Sequence, residues 1–265
     1  MNHIKWRAKI GIISISLHQQ ITYYNRMKII ILGATSGLGR GTAELFAAAG
    51  HQVGIAGRRV ERLEELAQNF PDHVVYEVLD VTDPQLEKGI EHLIGKLNGC
   101  DLFLYSSGVG KTNFDMELSN EQWTNDVNIT GFVKAVCYMF QFFKAQGHGH
   151  IAAISSVAGF RGIGGSSAYS ASKGYQRLYL EAMAHASNTR KVNIQYTTII
   201  PGFVDTEIIA GQNYPLTLSC DKAVKIIYRG LLKQKRKIYV DGKWRYISGL
   251  MKIIPTWIWE RMKIK

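Results

Sequence analysis

The sequence predicts a single α/β domain: a doubly wound parallel sheet of about seven strands with helices on both faces. Three observations carry this expectation. From residue 28 onward, short and almost continuously apolar β-rich runs alternate with longer amphipathic segments, the pattern of strands covered on both faces and joined by crossover helices. A glycine-rich turn follows the first of these runs at once and opens the first helical segment. Finally, 265 residues with 46% hydrophobic content and 26 glycines suit one packed domain with many tight turns.

The strands expected in order are KIIIL (28–32), QVGIAG (52–57), VVYEVL (74–79), LFLY (102–105), IAAIS (151–155), VNIQYTTII (192–200) and KIYV (237–240). Between the first four lie three helical segments. GRGTAELFAAAG ends at Gly50, RVERLEELAQNF is stopped by Pro71, and PQLEKGIEHLIGKL opens with Asp83 as N-cap and Pro84 as the helix-start proline. This division assigns residues 27–243 to the domain, 1–26 to an N-terminal extension and 244–265 to a basic, tryptophan-containing helical tail. In such a sheet the ligand crevice lies at the carboxyl ends of the strands, so the chemistry is expected there.

The formal net charge of +11 is unevenly placed. Residues 29–221 carry 14 Lys/Arg against 19 Asp/Glu, whereas residues 222–265 carry 13 Lys/Arg against Asp241 and Glu260. A mildly acidic body with basic ends argues against nucleic-acid binding, which calls for a basic face within the fold. The extension holds a short apolar run, Ile10 to Leu17, too brief to span a bilayer. It reads as an upstream extension, with a packing arm or a targeting segment as alternatives. Cys100, Cys137 and Cys220 are far apart, with no C-x-x-C pair. Neither a metal site nor a disulfide framework is expected, and a reducing, cytoplasmic setting is.

The turn IILGATSGLGRG spaces Gly33, Gly37 and Gly39 as G-x-x-x-G-x-G. Glycines here let backbone N–H groups approach a pyrophosphate resting on the positive end of a helix. Thr35, Ser36 and Leu38, between the glycines, are candidate contacts as well. At the end of the second strand Gly57 stands where an acid for the ribose 2′-hydroxyl would be expected, and Arg58 and Arg59 follow. Guanidinium groups can clamp a 2′-phosphate, so NADP(H) is expected in preference to NAD(H), with Arg58 the leading contact. The alternative is two arginines that merely begin a solvated helix face. Asp80, with Val81 beside it, ends the third strand. Its carboxylate could accept from an adenine amino group or simply cap a loop.

Tyr169 and Lys173 are four residues apart in SAYSASKGYQRL, and Ser156 lies thirteen residues before Tyr169. Helical spacing puts the phenol and the ammonium on one face, about 6 Å apart in rise. A phenol with a pKa near 10 is a poor acid–base catalyst at neutral pH, and a fixed ammonium nearby, with a cationic nicotinamide, should lower that value. Ser156 could then donate to a substrate oxygen while Tyr169 exchanges a proton with it.

Together the glycine turn, VNITG with Asn128, Ser156, the Tyr169-x-x-x-Lys173 pair and PGFVDT (201–206) stand in the order and spacing of a known family. Over about residues 28–240 the chain resembles the short-chain dehydrogenases/reductases. The resemblance implies a Rossmann-like fold and hydride transfer between a nicotinamide and a ketone, aldehyde or secondary alcohol. It makes Tyr169 the general acid/base, Lys173 the ribose-binding residue that tunes it, and Ser156 the group that orients the carbonyl. It further implies that Asn128 holds a helix irregularity and a proton-relay water, and that Pro201, Gly202, Val204 and Thr206 line the nicotinamide pocket. Ser107 and Gly108 would also face the cofactor. Two departures are visible. The family's Asn-Asn-Ala-Gly stretch reads Tyr105-Ser106-Ser107-Gly108, replacing the asparagine amide that braces the central sheet with a hydroxyl, and the threonine before the first glycine is Leu32.

DTEIIAGQNYPLTLSCD (205–221) should contribute to a lid, and its Ile208, Ile209, Tyr214 and Leu216 suit an apolar carbonyl substrate. The tail combines Trp257 and Trp259 with basic residues, which fits a helix pair packed on the domain or on another subunit of a dimer or tetramer, or peripheral membrane contact. The rivals to an NADPH-dependent reductase are an NAD-linked dehydrogenase, a sugar-nucleotide epimerase and a catalytically silent nucleotide-binding or membrane-associated module.

Overall fold

The computed structural model describes residues 26–207 and 216–262. All but the last residue of the expected N-terminal extension, together with Ile208, Ile209 and Tyr214 of the expected lid, lies outside the described residues. Seven parallel strands form one sheet in the order β3-β2-β1-β4-β5-β6-β7. They are β1 Lys28–Leu32, β2 Gln52–Gly57, β3 Val74–Val78, β4 Leu102–Tyr105, β5 Gly149–Ile154, β6 Ile194–Ile200 and β7 Lys237–Tyr239. The crossover helices are α1 Gly37–Ala48, α2 Val60–Asn69, α3 Leu86–Leu97, α4 Leu118–Asn125, α5 Phe132–Gln146, α6 Ser167–Thr189 and α7 Cys220–Leu232. Helices α8 (Gly242–Ile253) and α9 (Thr256–Trp259) end the described chain.

Alternation along each strand splits the core in two. Ile29 and Ile31 of β1 face one way and pack with Phe46 of α1, Leu63 of α2 and Ile227 of α7. Ile30 and Leu32 face the other way, toward Leu93 of α3, Met139 of α5 and Leu180 of α6. Helix α5 shows why these segments are helical: Phe132, Ala135, Val136, Met139 and Phe143 are buried at helical spacing along one stripe. The chain leaves β1 toward β2 on one side and reaches β4 on the other, which opens a crevice above the carboxyl ends of β1 and β4.

The strand limits differ from expectation at five ends. Strand β3 stops at Val78, one residue early, and β5 begins at Gly149, because its His150 N–H bonds Asp101 O at 3.0 Å. At its other end β5 stops at Ile154 and not at Ser155. Strand β6 begins at Ile194 and β7 stops at Tyr239. Asp83 and Pro84 do not cap and start α3. Asp83 closes a turn instead, its Oδ1 accepting from Gln85 N at 2.6 Å, and the helix begins at Leu86.

Helix α8 crosses the expected boundary at 243/244. Its Trp244 is buried against Val157 and Ile200, so α8 packs on the sheet's carboxyl end. Further on, Trp259 Nε1 donates to Gly162 O at 2.8 Å, and Arg161 lies 5.1 Å from the Trp259 ring. Tyr246, Leu250, Ile253 and Trp257 remain exposed. Among the described residues no helix is long and apolar enough to cross a membrane, and all three cysteines are free.

Candidate active site

A cleft of about 440 Å³ opens over the carboxyl ends of the central strands. It is lined at one end by the glycine turn (Gly33, Thr35, Ser36, Gly37, Leu38) with Arg58, Arg59, Asp80 and Val81, and in the middle by Ser107 and Gly108. At the other end it is lined by Ser156, Tyr169 and Lys173, facing Pro201, Gly202, Val204 and Thr206. Gly39 and Asn128 stand behind this surface. Gly33 has φ 84°, and a Cβ there would sit 2.5 Å from Ser107 N; one on Gly39 would sit 2.2 Å from Gly33 O. The turn is thus packed at backbone contact, which only glycine allows. No side chain caps the first amides of α1, so its positive end faces the cleft. This cradle fits a nucleotide pyrophosphate.

The two arginines after β2 are held in different ways. Arg58 is largely exposed and reaches Asp80 only at 3.6 Å. Arg59 is the one tied into the turn, with its NH2 nitrogen donating to Thr35 Oγ1 and Ser36 Oγ, each at 2.7 Å. Its other terminal nitrogen donates to Glu207 at 2.8 Å, and Arg62 also bonds Glu207. These hydrogen bonds, from Arg59 first and Arg62 second, hold the Glu207 carboxyl down at about 2. The sequence reading missed both Arg62 and Glu207. Arg62 could have been found three residues after Arg59 on one helical face, but nothing local points to Glu207. Asp80 does cap a loop, its Oδ1 accepting from Thr82 N at 2.9 Å and Thr82 Oγ1 at 2.8 Å, while it also lines the cleft.

At the far end the opening residues of α6 meet the end of β5. Ser156 follows β5 and accepts from Ala158 N at 3.1 Å, and it lines the cleft beside Tyr169. Lys173 is buried, its Nζ 5.8 Å from the centre of the Tyr169 ring. That nitrogen donates to Ile154 O at 2.8 Å and to Gln176 Oε1 at 3.1 Å. The expected lowering of the phenol's pKa is not produced by the protein's own groups. Burial pushes Tyr169 up, and the neighbouring Ser156 hydroxyl only opposes that rise. The same burial pulls the Lys173 ammonium down to about 7. A dry site penalises both charged forms.

Asn128 lies in a π-helical turn, Asp126–Gly131, between α4 and α5. Its Oδ1 accepts from Val109 N at 2.9 Å, and its Nδ2 donates to Val109 O at 2.8 Å and Ser172 Oγ at 3.0 Å. Its carbonyl accepts from Gln176 Nε2 at 2.8 Å, so the link from Asn128 to Lys173 runs through a side-chain amide that the sequence reading did not single out. The bracing put in doubt by the Tyr105-Ser106-Ser107-Gly108 stretch is supplied by Tyr105, whose hydroxyl donates to Val127 O at 2.5 Å and ties β4 to the π turn. The stem of the lid is pinned too: Asp205 N donates to Leu218 O at 2.9 Å and Leu218 N to Phe203 O at 3.0 Å.

Comparison with known proteins agrees with this geometry. The short chain dehydrogenase family model matches residues 27–215. An uncharacterized oxidoreductase of Myxococcus xanthus is 32% identical over 236 residues, 86% of this chain and 92% of the relative. Another, from Mycobacterium tuberculosis, is 31% identical over 256 residues, 91% of this chain and 99% of the relative. Among solved structures, a short chain dehydrogenase/reductase from Burkholderia phymatum in complex with NAD has TM-score 0.77 at 18% identity, covering 86% of this chain and 93% of its own. One from Burkholderia cenocepacia in complex with NADP also has TM-score 0.77, at 17% identity, covering 91% of this chain and 98% of its own. The chain belongs to the short-chain dehydrogenase family and is an oxidoreductase of that type.

Proposed function

We propose that the protein is an NADP(H)-dependent oxidoreductase that interconverts a small apolar ketone or aldehyde and the corresponding alcohol, with Tyr169 as the acid–base catalyst. The observation that carries this reading is the convergence of Ser156, Tyr169 and Lys173 at one end of a cleft whose other end is a glycine cradle. A bound nicotinamide supplies or accepts the hydride. Ser156 Oγ donates to the carbonyl oxygen, and the Tyr169 hydroxyl delivers the proton; in the reverse direction its phenolate takes the proton back. Lys173 Nζ, 5.8 Å from the centre of the Tyr169 ring, favours that phenolate only while it carries its proton. Among the described residues, Arg58, Arg59 and Arg62 face the carboxylates of Glu207 and Asp80 alone, so this end of the cleft keeps a net positive charge, which supports NADP(H). Trp123 and Val109 add apolar lining to the cleft, which supports an apolar substrate. A silent module has less support, because Ser156, Tyr169 and Lys173 all line the one cleft. Fluorescence titration with NADPH and NADH, followed by a carbonyl screen, tests the reading. Tighter NADPH binding with turnover of hydrophobic ketones is expected; preference for NADH, or for polyols, would overturn it.

A second reading concerns the tail. The exposed row Tyr246, Leu250, Ile253 and Trp257 is flanked by Lys243, Arg245 and Lys252, which suits peripheral contact with an anionic bilayer. Cosedimentation with phosphatidylserine vesicles, lost on deleting residues 245–265, is expected; binding unchanged by the deletion would refute it. Exposed Tyr175 and Leu178 on α6 support a homo-oligomer, which a molecular mass equal to one chain in sedimentation would rule out.

A further inference from the structure

Gln176 lies three residues after Lys173 on α6 and is fully buried. A side-chain amide at such a core position is costly unless both of its ends are bonded, and here both are. Nε2 donates to the Asn128 carbonyl at 2.8 Å while Oε1 accepts from Lys173 Nζ at 3.1 Å. Donation at one end polarises the amide and makes its oxygen a better acceptor at the other. Lys173 Nζ therefore has two fixed acceptors, Ile154 O from β5 and Gln176 Oε1 from its own helix.

We propose that Gln176 is a positioning residue for the reaction: it holds the Lys173 ammonium in place beside Tyr169 and couples it to the π-helical turn that carries Asn128. This inference rests on the catalytic reading above. Burial favours the neutral amine, and the amide oxygen favours the ammonium, so Gln176 raises the fraction of Lys173 that is charged near neutral pH. The groups facing Lys173 are the Tyr169 phenol on the same helix, the Ile154 carbonyl on β5, the Asn128 amide in the π turn and Gly108 after β4. The phenol is the titratable member of that set.

The test uses the full chain with Gln176→Met, which keeps the length and removes both bonds, and Gln176→Glu, which keeps an acceptor and adds charge. The midpoint of Lys173 titration is read from its side-chain carbon shifts by NMR in the cofactor-free protein. Gln176→Met is expected to lower that midpoint by about one pH unit, the effect of losing a hydrogen bond to a charged group. Gln176→Glu is expected to raise it. Unchanged midpoints, or a shift of the same sign in the two variants, would overturn the proposal. Should the Met variant not fold, the Glu variant alone decides: a raised midpoint supports the coupling, and an unchanged or lowered one refutes it. If the Lys173 midpoints move as expected while Tyr169→Phe keeps its turnover, the coupling stands and the catalytic reading fails.

Discussion

Replacing Lys173 with methionine should change how the protein's stability depends on pH. The side chain is buried and its ammonium is pulled from 10.5 down to about 7. Between those values the unfolded chain holds a proton that the folded chain has lost, so stability rises with pH across the window and is flat below it. The slope approaches about 1.36 kcal/mol per pH unit. From pH 7 to 9.5 the wild-type protein should therefore gain about 3 kcal/mol relative to Lys173→Met. The raised Tyr169 phenol works in the opposite direction only above its unfolded value of 10.0, outside this range. Methionine is unbranched and fills most of the same space, so the difference between the two proteins isolates the charge. Urea unfolding of both, at half-unit steps from pH 6.5 to 9.5, measures it. Two parallel stability curves would refute the reasoning and mean that the ammonium is solvated or fully compensated in the folded state.

Gly33→Ala should weaken nucleotide binding at least tenfold and lower stability by about 1–3 kcal/mol, because a Cβ placed 2.5 Å from Ser107 N must push two backbones apart at a residue with φ 84°. Nucleotide titration and thermal melting check both effects. Arg59→Ala should weaken NADPH binding more than NADH binding, by about tenfold, since the guanidinium lost is the one tied to Thr35 and Ser36. Parallel fluorescence titrations with the two nucleotides measure that ratio.

The strands and the chemistry were legible in the sequence for different reasons. Ile29–Leu32 of β1 and Leu102–Tyr105 of β4 are continuous, fully buried apolar runs, as strands covered on both faces should be. The glycine turn, Ser156, Tyr169 and Lys173 were legible because they stand in the order and spacing of the family's motifs, and the fold brings them to one cleft. What sequence did not show were contacts made across the fold. Glu207 meets Arg59 from 148 positions away, and no local pattern marks that pairing. Gln176 looked like a polar residue on a helix until its two partners, one of them in the π turn, were placed around it. Pro84 misled because a proline after an aspartate serves a turn as well as a helix start. The Tyr169 shift was misjudged since spacing shows a nearby cation but not the dryness that weakens its charge.

The central claim is that the Tyr169 hydroxyl exchanges the proton of the reaction. The most direct measurement is single-turnover reduction by Tyr169→Phe preloaded with NADPH, with nucleotide affinity measured on the same sample. The account predicts affinity close to that of the wild-type protein and a rate lower by about a hundredfold or more, the loss of a general acid. A phenylalanine variant that reduces its carbonyl at the wild-type rate would contradict it.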